Sequence, residues 1–91
     1  MHVRVYATLR DLLGTATVPI ELTEPAPARE ILRRLVAAYP VLNGKLWDAE
    51  EKLTGYVMVL VNGRSLEFLN GLDTLIAPDD SLSLFPPVGG G

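Results

Sequence analysis

The sequence has no cysteine in its 91 residues. A disulfide framework, a thiolate metal cluster and a cysteine nucleophile are therefore all excluded, and any sulfur chemistry must use sulfur from another molecule. Histidine is almost as scarce, because His2 is the only one and lies beside the N-terminus. One imidazole cannot assemble a metal centre, so we expect no metal site.

Long apolar runs and an excess of basic residues are also missing. No run reaches the roughly 18 apolar residues of a membrane-spanning helix, and the N-terminus lacks the residue order of a signal peptide. We therefore expect a cytoplasmic protein that does not enter a membrane. The net charge of -3 and the pI of about 4.9 argue against nucleic acid as a partner and favour a basic protein instead.

What the chain does contain is enough apolar material for one folded core. Hydrophobic residues make up 48% of the sequence and charged residues 21%, which is ordinary for a globular domain and too apolar for a disordered segment. A chain of this length encloses a single core.

Two alternating segments open the chain. Apolar residues at every second position predict a first strand with one buried side, reaching Arg10: Val3, Val5, Ala7 and Leu9. Gly14 then suits the left-handed position that ends a short helical turn. The second segment alternates from Thr17 to Leu22, and Pro19, which has no N–H to donate, places this strand at a sheet edge.

A helix and a second group of strands follow. Apolar residues recur at helical spacing from Ala28 to Tyr39, and Pro40 ends the pattern. Residues 41–54 have no clean period and are predicted to form an exposed connection anchored by Leu46 or Trp47. Residues 56–61 are apolar throughout, the Asn-Gly pair at 62–63 favours a tight hairpin, and residues 64–68 are predicted to return as a strand.

Residues 82–85 alternate once more and give a last strand. The order β, β, α, β, β, β predicts an α+β fold of the ubiquitin-like β-grasp type, with a mixed five-stranded sheet packed on one main helix. We assign residues 1–86 to this domain and residues 87–91 to a C-terminal tail.

The helix covers only one side of such a sheet, so the open side is the expected site of function. Phe85 projects opposite to its buried neighbours, and we expect it to form an apolar patch with Met58 or Leu60 and with Leu66 or Phe68 on the next strand. Alternatively, a loop covers these side chains. Arg10, placed near the end of the first strand, either contacts the partner or is simply exposed to solvent.

The tail carries the more specific signal. Two prolines stiffen the exit from the last strand, and Val88 precedes three glycines at 89–91. Because glycine has no Cβ, such a tail can pass through a narrow channel and present its terminal carboxylate to the catalytic centre of another protein. A frayed chain end is the alternative interpretation.

These features together resemble the MoaD/ThiS sulfur-carrier family, and in particular the MoaD-type small subunit of molybdopterin synthase. The similarity covers residues 3–14, 59–63, 71–75 and 78–80, and its most specific part is the ending Leu84, Phe85, Pro86, Pro87 and Val88 followed by Gly90 and Gly91. It extends over nearly the whole length of the chain.

The resemblance implies that the chain is a carrier and not an enzyme. A MoeB-like, E1-type partner would use ATP to adenylate the carboxylate of Gly91, and sulfur would then replace the adenylate to leave a thiocarboxylate. The segment Pro87, Val88, Gly89 and Gly90 would thread into the active site of a MoaE-like large subunit, where sulfur enters the molybdenum cofactor. The chain itself would bind no cofactor, because ATP and catalytic groups belong to the partners.

Other functions share these sequence features. In one alternative, the chain is a sulfur carrier for a different acceptor, in transfer RNA thiolation, thiamin synthesis or cysteine synthesis. A ubiquitin-like modifier would instead form isopeptide bonds to lysines, and a passive β-grasp interaction module would not use its tail at all.

Overall fold

The protein is described here from a computed structural model, which covers residues 1–50, 52–54 and 56–86. The tail residues Pro87, Val88, Gly89, Gly90 and Gly91, on which the central functional prediction falls, lie outside the described residues.

The chain forms a mixed sheet against one main helix. The strands are β1 (His2–Val5), β2 (Thr17–Pro19), β3 (Ala26–Pro27), β4 (Met58–Val61), β5 (Arg64–Ser65), β6 (Leu75–Ile76) and β7 (Leu82–Phe85). The helices are α1 (Thr8–Leu13) and α2 (Ala28–Ala38), and three short 3₁₀ helices cover Pro40–Leu42, Leu66–Phe68 and Gly71–Asp73.

Five strands make the main sheet in the order β2-β1-β7-β4-β5. The first and last strands, β1 and β7, are parallel neighbours, whereas the pairs β1–β2, β4–β7 and β4–β5 are antiparallel. The predicted α+β ubiquitin-like β-grasp fold is confirmed, including Pro19 on an edge strand. A small second sheet of β3 and β6 was not predicted.

The core lies between this sheet and α2. Inward strand residues alternate with outward ones, and the helix buries the stripe that its spacing predicted: Ala28, Ile31, Leu32 and Leu35 against Val3, Val5, Val59, Val61, Leu82 and Leu84. Leu46, at 1% exposure, anchors the long connection, while Trp47 is only partly buried. Within the described ranges, no helix combines the length and apolarity that crossing a bilayer demands.

Candidate functional site

The site is built around the end of β7, because Phe85 and Pro86 are the last described residues before the tail. Along β7, Leu82 and Leu84 are buried and Ser83 and Phe85 face outward. On β4, the same alternation turns Val59 and Val61 inward and Met58 and Leu60 outward. The strand register sets Met58 opposite Phe85, so the two outward side chains are cross-strand neighbours.

Tyr6 completes this surface from the other side of Phe85. It follows β1, donates its backbone N–H to the Leu84 carbonyl at 3.1 Å, and stacks its ring on that of Phe85. The two ring centroids are 4.4 Å apart and the rings are 2° from parallel. We call the side chains Tyr6, Met58, Leu60 and Phe85 the open-face patch. All are partly exposed, so the patch is neither sealed by a loop nor fully solvated.

Leu66 does not belong to this patch, and its prediction was wrong. The strand β5 ends at Ser65, whose hydroxyl accepts a hydrogen bond from the Glu67 N–H at 3.4 Å and starts a 3₁₀ turn. The change from strand to helical turn breaks the alternation, and Leu66 turns into the core with 0% exposure. A serine side chain bonding to the backbone two residues ahead is a known competitor of strand structure.

Phe68 lies on the same 3₁₀ helix rather than on a strand of the sheet. Its side chain is 84% exposed, which makes it the most exposed large apolar residue of the described chain. The prediction placed it on a strand next to the patch, and that placement was wrong. Phe68 is nevertheless accessible.

Arg10 was also placed on the wrong element. The first strand ends at Val5, because Ala7 adopts a left-handed φ of 54° and Arg10 lies within α1. Apolar residues at Leu9 and Leu13 are four apart and bury one side of this helix, and Leu9 happens to fit the strand alternation as well. Arg10 itself is exposed.

A cleft beside Pro86 was not predicted from the sequence. Pro86 lines an open cleft of about 530 Å³ together with α1, the turn at residues 43–45, Tyr56 and Val57. Leu12 and Tyr56 are 44% and 66% exposed on its walls. Leu12 could have signalled it, because this apolar residue lies off the side of α1 that Leu9 and Leu13 bury, and the structure leaves Tyr56 outside β4.

Among the described residues, no group of three or more His, Asp or Glu side chains is arranged to hold a metal ion. Besides the hydroxyls of Thr8, Tyr6 and Tyr56, the described residues of the open-face patch and the cleft offer one further reactive group, the amine of Lys45, and no His, Asp or Glu lies among them to act with it. What this surface can do chemically is bind another protein beside the start of the tail.

Comparison with known proteins shows which family the chain belongs to. The model of the ThiS family matches residues 3–91. Small archaeal modifier protein 3 of Haloferax volcanii is 35% identical over 91 residues, which are all of this chain and 98% of the relative. The crystal structure of SAMP1 from the same organism aligns with a TM-score of 0.79 at 31% identity, covering 99% of this chain and 97% of that one.

A chain from Pyrococcus furiosus, described as subunit 1 of a molybdopterin converting factor, has a TM-score of 0.71 at 26% identity. The alignment covers 96% of this chain and 95% of that one. The first of these relatives is named a small modifier protein, and the Pyrococcus furiosus chain is described as one subunit of a larger factor. The chain therefore belongs to the ThiS family and is a ubiquitin-like sulfur carrier or modifier rather than an enzyme.

Proposed function

We propose that the carboxylate of Gly91 is activated as an acyl adenylate and then converted to a thiocarboxylate. An E1-type, MoeB-like partner supplies the ATP site, and the carboxylate oxygen attacks the α-phosphate with release of pyrophosphate. Hydrosulfide released by the sulfur donor then attacks the activated carbonyl carbon, the C–O bond to AMP breaks so that AMP leaves, and loss of the S–H proton gives the thiocarboxylate. Adenylation is needed because a free carboxylate is a poor acyl donor.

One observation carries this proposal: the open-face patch adjoins the point where the chain enters its glycine tail. Phe85 is stacked on Tyr6 and paired with Met58, and it is directly followed by Pro86. A partner that covers the patch therefore holds the base of the tail in a fixed position. With the start of the tail held in place, less conformational entropy is lost when Gly91 is placed in an active site.

For the sulfur acceptor we propose molybdopterin synthase, with this chain as its sulfur-donor subunit and a MoaE-like protein as the large subunit. The ending Leu84, Phe85, Pro86, Pro87 and Val88 with Gly90 and Gly91 supports this choice, as does the similarity to the Pyrococcus furiosus chain. In this role the chain works in molybdenum cofactor biosynthesis and binds no cofactor of its own.

Protein modification is the second candidate, because the 35% identical relative is named a small archaeal modifier protein. Both functions share the adenylate of Gly91 and differ in the next nucleophile. A sulfur nucleophile gives the carrier, whereas a lysine amine gives an isopeptide bond and a conjugated protein.

The test is to incubate the chain with an E1-type adenylating enzyme, ATP and a sulfur donor, and to measure its intact mass. Replacement of one oxygen by sulfur supports the carrier, and lysine conjugates on added proteins support the modifier. Sulfur transfer to a pterin precursor of the molybdenum cofactor in the presence of a MoaE-like subunit would identify the acceptor. If the enzyme activates another carrier protein but leaves the mass of this chain unchanged, the proposal is contradicted.

A further inference from the structure

The open side of the sheet differs in charge from the rest of the molecule. The chain as a whole carries a net charge of -3. On the outward positions of the five strands of the main sheet there is no Asp or Glu: besides Met58, Leu60 and Phe85 they are His2, Arg4, Thr17, Pro19, Ser65 and Ser83. The carboxylates of the described chain lie on the loops and helices instead. The surface that surrounds the patch is therefore neutral to basic.

Arg4 is the charged group of this surface that is nearest its centre. It lies on β1, where its Cα is paired with Thr17 on one side and Ser83 on the other. Ser83 is in turn paired with Leu60, and Tyr6 follows Arg4 by two positions on the same side. With strands about 4.8 Å apart and a rise of about 3.3 Å per residue, the Cα of Arg4 lies roughly 7 to 10 Å from those of Tyr6 and Leu60.

The guanidinium of Arg4 has no ion pair or hydrogen bond within residues 1–50, 52–54 and 56–86. Its immediate cross-strand neighbours supply hydroxyls and no carboxylate. Among the described residues, the guanidinium of Arg4 is therefore a donor group without a protein acceptor, and it is exposed to solvent.

Covering the patch changes this situation. A protein interface of standard size buries about 800 Å² on each partner, which corresponds to a radius of roughly 16 Å. An interface centred on Tyr6 and Phe85 therefore also covers Arg4 and removes its water. Removing water from a charge is costly unless an acceptor replaces it, and a carboxylate matches the two-pronged geometry of a guanidinium.

We propose that the adenylating partner presents a carboxylate to Arg4 inside an otherwise apolar contact with the open-face patch, and that Arg4 contributes to the choice of partner. This inference rests on the proposed function, since it deepens the description of the surface that the partner covers. It reverses the expectation from net charge, which favoured a basic partner. The charge of the surface in contact, and not the net charge of the whole chain, determines which charge the partner must carry there.

The test compares the kinetics of adenylation, measured as ATP–pyrophosphate exchange with an E1-type enzyme, for Arg4→Glu, Arg4→Lys and a control. Arg64→Glu is the control because Arg64 is an exposed arginine of the same sheet, paired with the inward-facing Val61 at the edge. We expect Arg4→Glu to raise KM about 30-fold with kcat changed by less than about twofold. Arg4→Lys keeps the positive charge but lacks the two-pronged geometry of the guanidinium, and it should raise KM by only about threefold.

The outcomes separate this inference from the proposed function. If the unchanged chain is adenylated but Arg4→Glu and Arg64→Glu have the same KM, the inference is wrong and adenylation stands. A lower KM for Arg4→Glu would overturn it as well, because the partner's surface would then be basic. If an enzyme active on another carrier does not adenylate the unchanged chain, the proposed function itself fails. Matching thermal unfolding of the variants ensures that KM reports contact and not folding.

Discussion

Single residues of the open-face patch are expected to control partner binding. Phe85→Asp places a carboxylate where an aromatic ring now stacks on Tyr6 and pairs across the strands with Met58. Burying this charge in an apolar contact should weaken binding to the large subunit or the adenylating enzyme by about 2 kcal/mol or more, the size of an interface hot spot. Isothermal titration calorimetry with either partner measures the loss.

Phe68→Asp is the matched control for that variant. Phe68 is also an exposed phenylalanine, but it lies on a 3₁₀ helix and outside the strand alternation that builds the patch. We expect it to bind with an affinity within about threefold of the unchanged chain, as for a surface substitution away from a contact. If both aspartate variants lose binding equally, the interface extends over Phe68 as the sequence had suggested.

Leu66 provides the corresponding prediction for stability. It is fully buried, so Leu66→Ala should lower the free energy of unfolding by about 2 to 5 kcal/mol. Its neighbour in the same turn, Glu67, is exposed, and Glu67→Ala should change stability by less than about 0.5 kcal/mol. Urea denaturation distinguishes the two. A small effect of Leu66→Ala would restore Leu66 to the open face.

At the scale of elements, the segments whose apolar residues follow one clear period were predicted well from the sequence. Helix α2 begins and ends where its apolar spacing and Pro40 indicated, and β7 alternates as expected. The errors fall where two patterns overlap. Leu9 satisfies both a strand and a helical period, and residues 66–68 continue an apparent alternation that the Ser65 side chain breaks in the structure.

The candidate site was only partly predictable, because some of its contacts join segments that are distant in the sequence. Phe85, Met58 and Leu60 follow from strand alternation, which is a local property. Tyr6 was not predicted to stack on Phe85, because that contact depends on the register of the first strand against the last, which strand alternation does not set. The cleft beside Pro86 likewise needs three separate segments to meet.

The hairpin between β4 and β5 allows a test of how a turn is stabilised. Asn62 adopts a left-handed φ of 52°, donates from Nδ2 to an Asp80 carboxylate oxygen at 3.1 Å and accepts from the Ser81 N–H at 2.9 Å. Asn62→Gly keeps the backbone conformation and loses these two bonds, which should cost about 1 kcal/mol at this exposed site.

Asn62→Ala loses the same bonds and adds strain, because alanine is disfavoured in the left-handed region by about 1 kcal/mol. We therefore expect Asn62→Ala to be less stable than Asn62→Gly by that amount in thermal or urea unfolding. Equal stabilities would mean that the turn relaxes to a different conformation in the alanine variant.

For the whole molecule, stability and function should be separable by removing one residue. The described core is complete by Leu84, and Gly91 lies beyond the described residues. Deleting Gly91 should therefore leave the unfolding midpoint unchanged within error, while adenylation and sulfur loading fall below detection. Intact-mass analysis after incubation with the adenylating enzyme, ATP and a sulfur donor measures the second effect, and calorimetry measures the first.

A shortened chain that is still loaded with sulfur would contradict the role of Gly91. A second variant tests the same point: a chain extended by one alanine after Gly91 keeps all native residues but places a methyl group at the end that must enter the active site. We expect this extended chain also to fold normally and to lose loading.

The pairing of β1 with β7 has a consequence for the timing of recognition in the cell. Strands from opposite ends of the described chain lie side by side in the middle of the sheet, so the sheet cannot close while β7 is still being synthesised. Tyr6 and Phe85 meet only after that closure. A nascent chain therefore offers its partners no assembled docking surface, and the fold itself delays engagement until translation has passed the last strand.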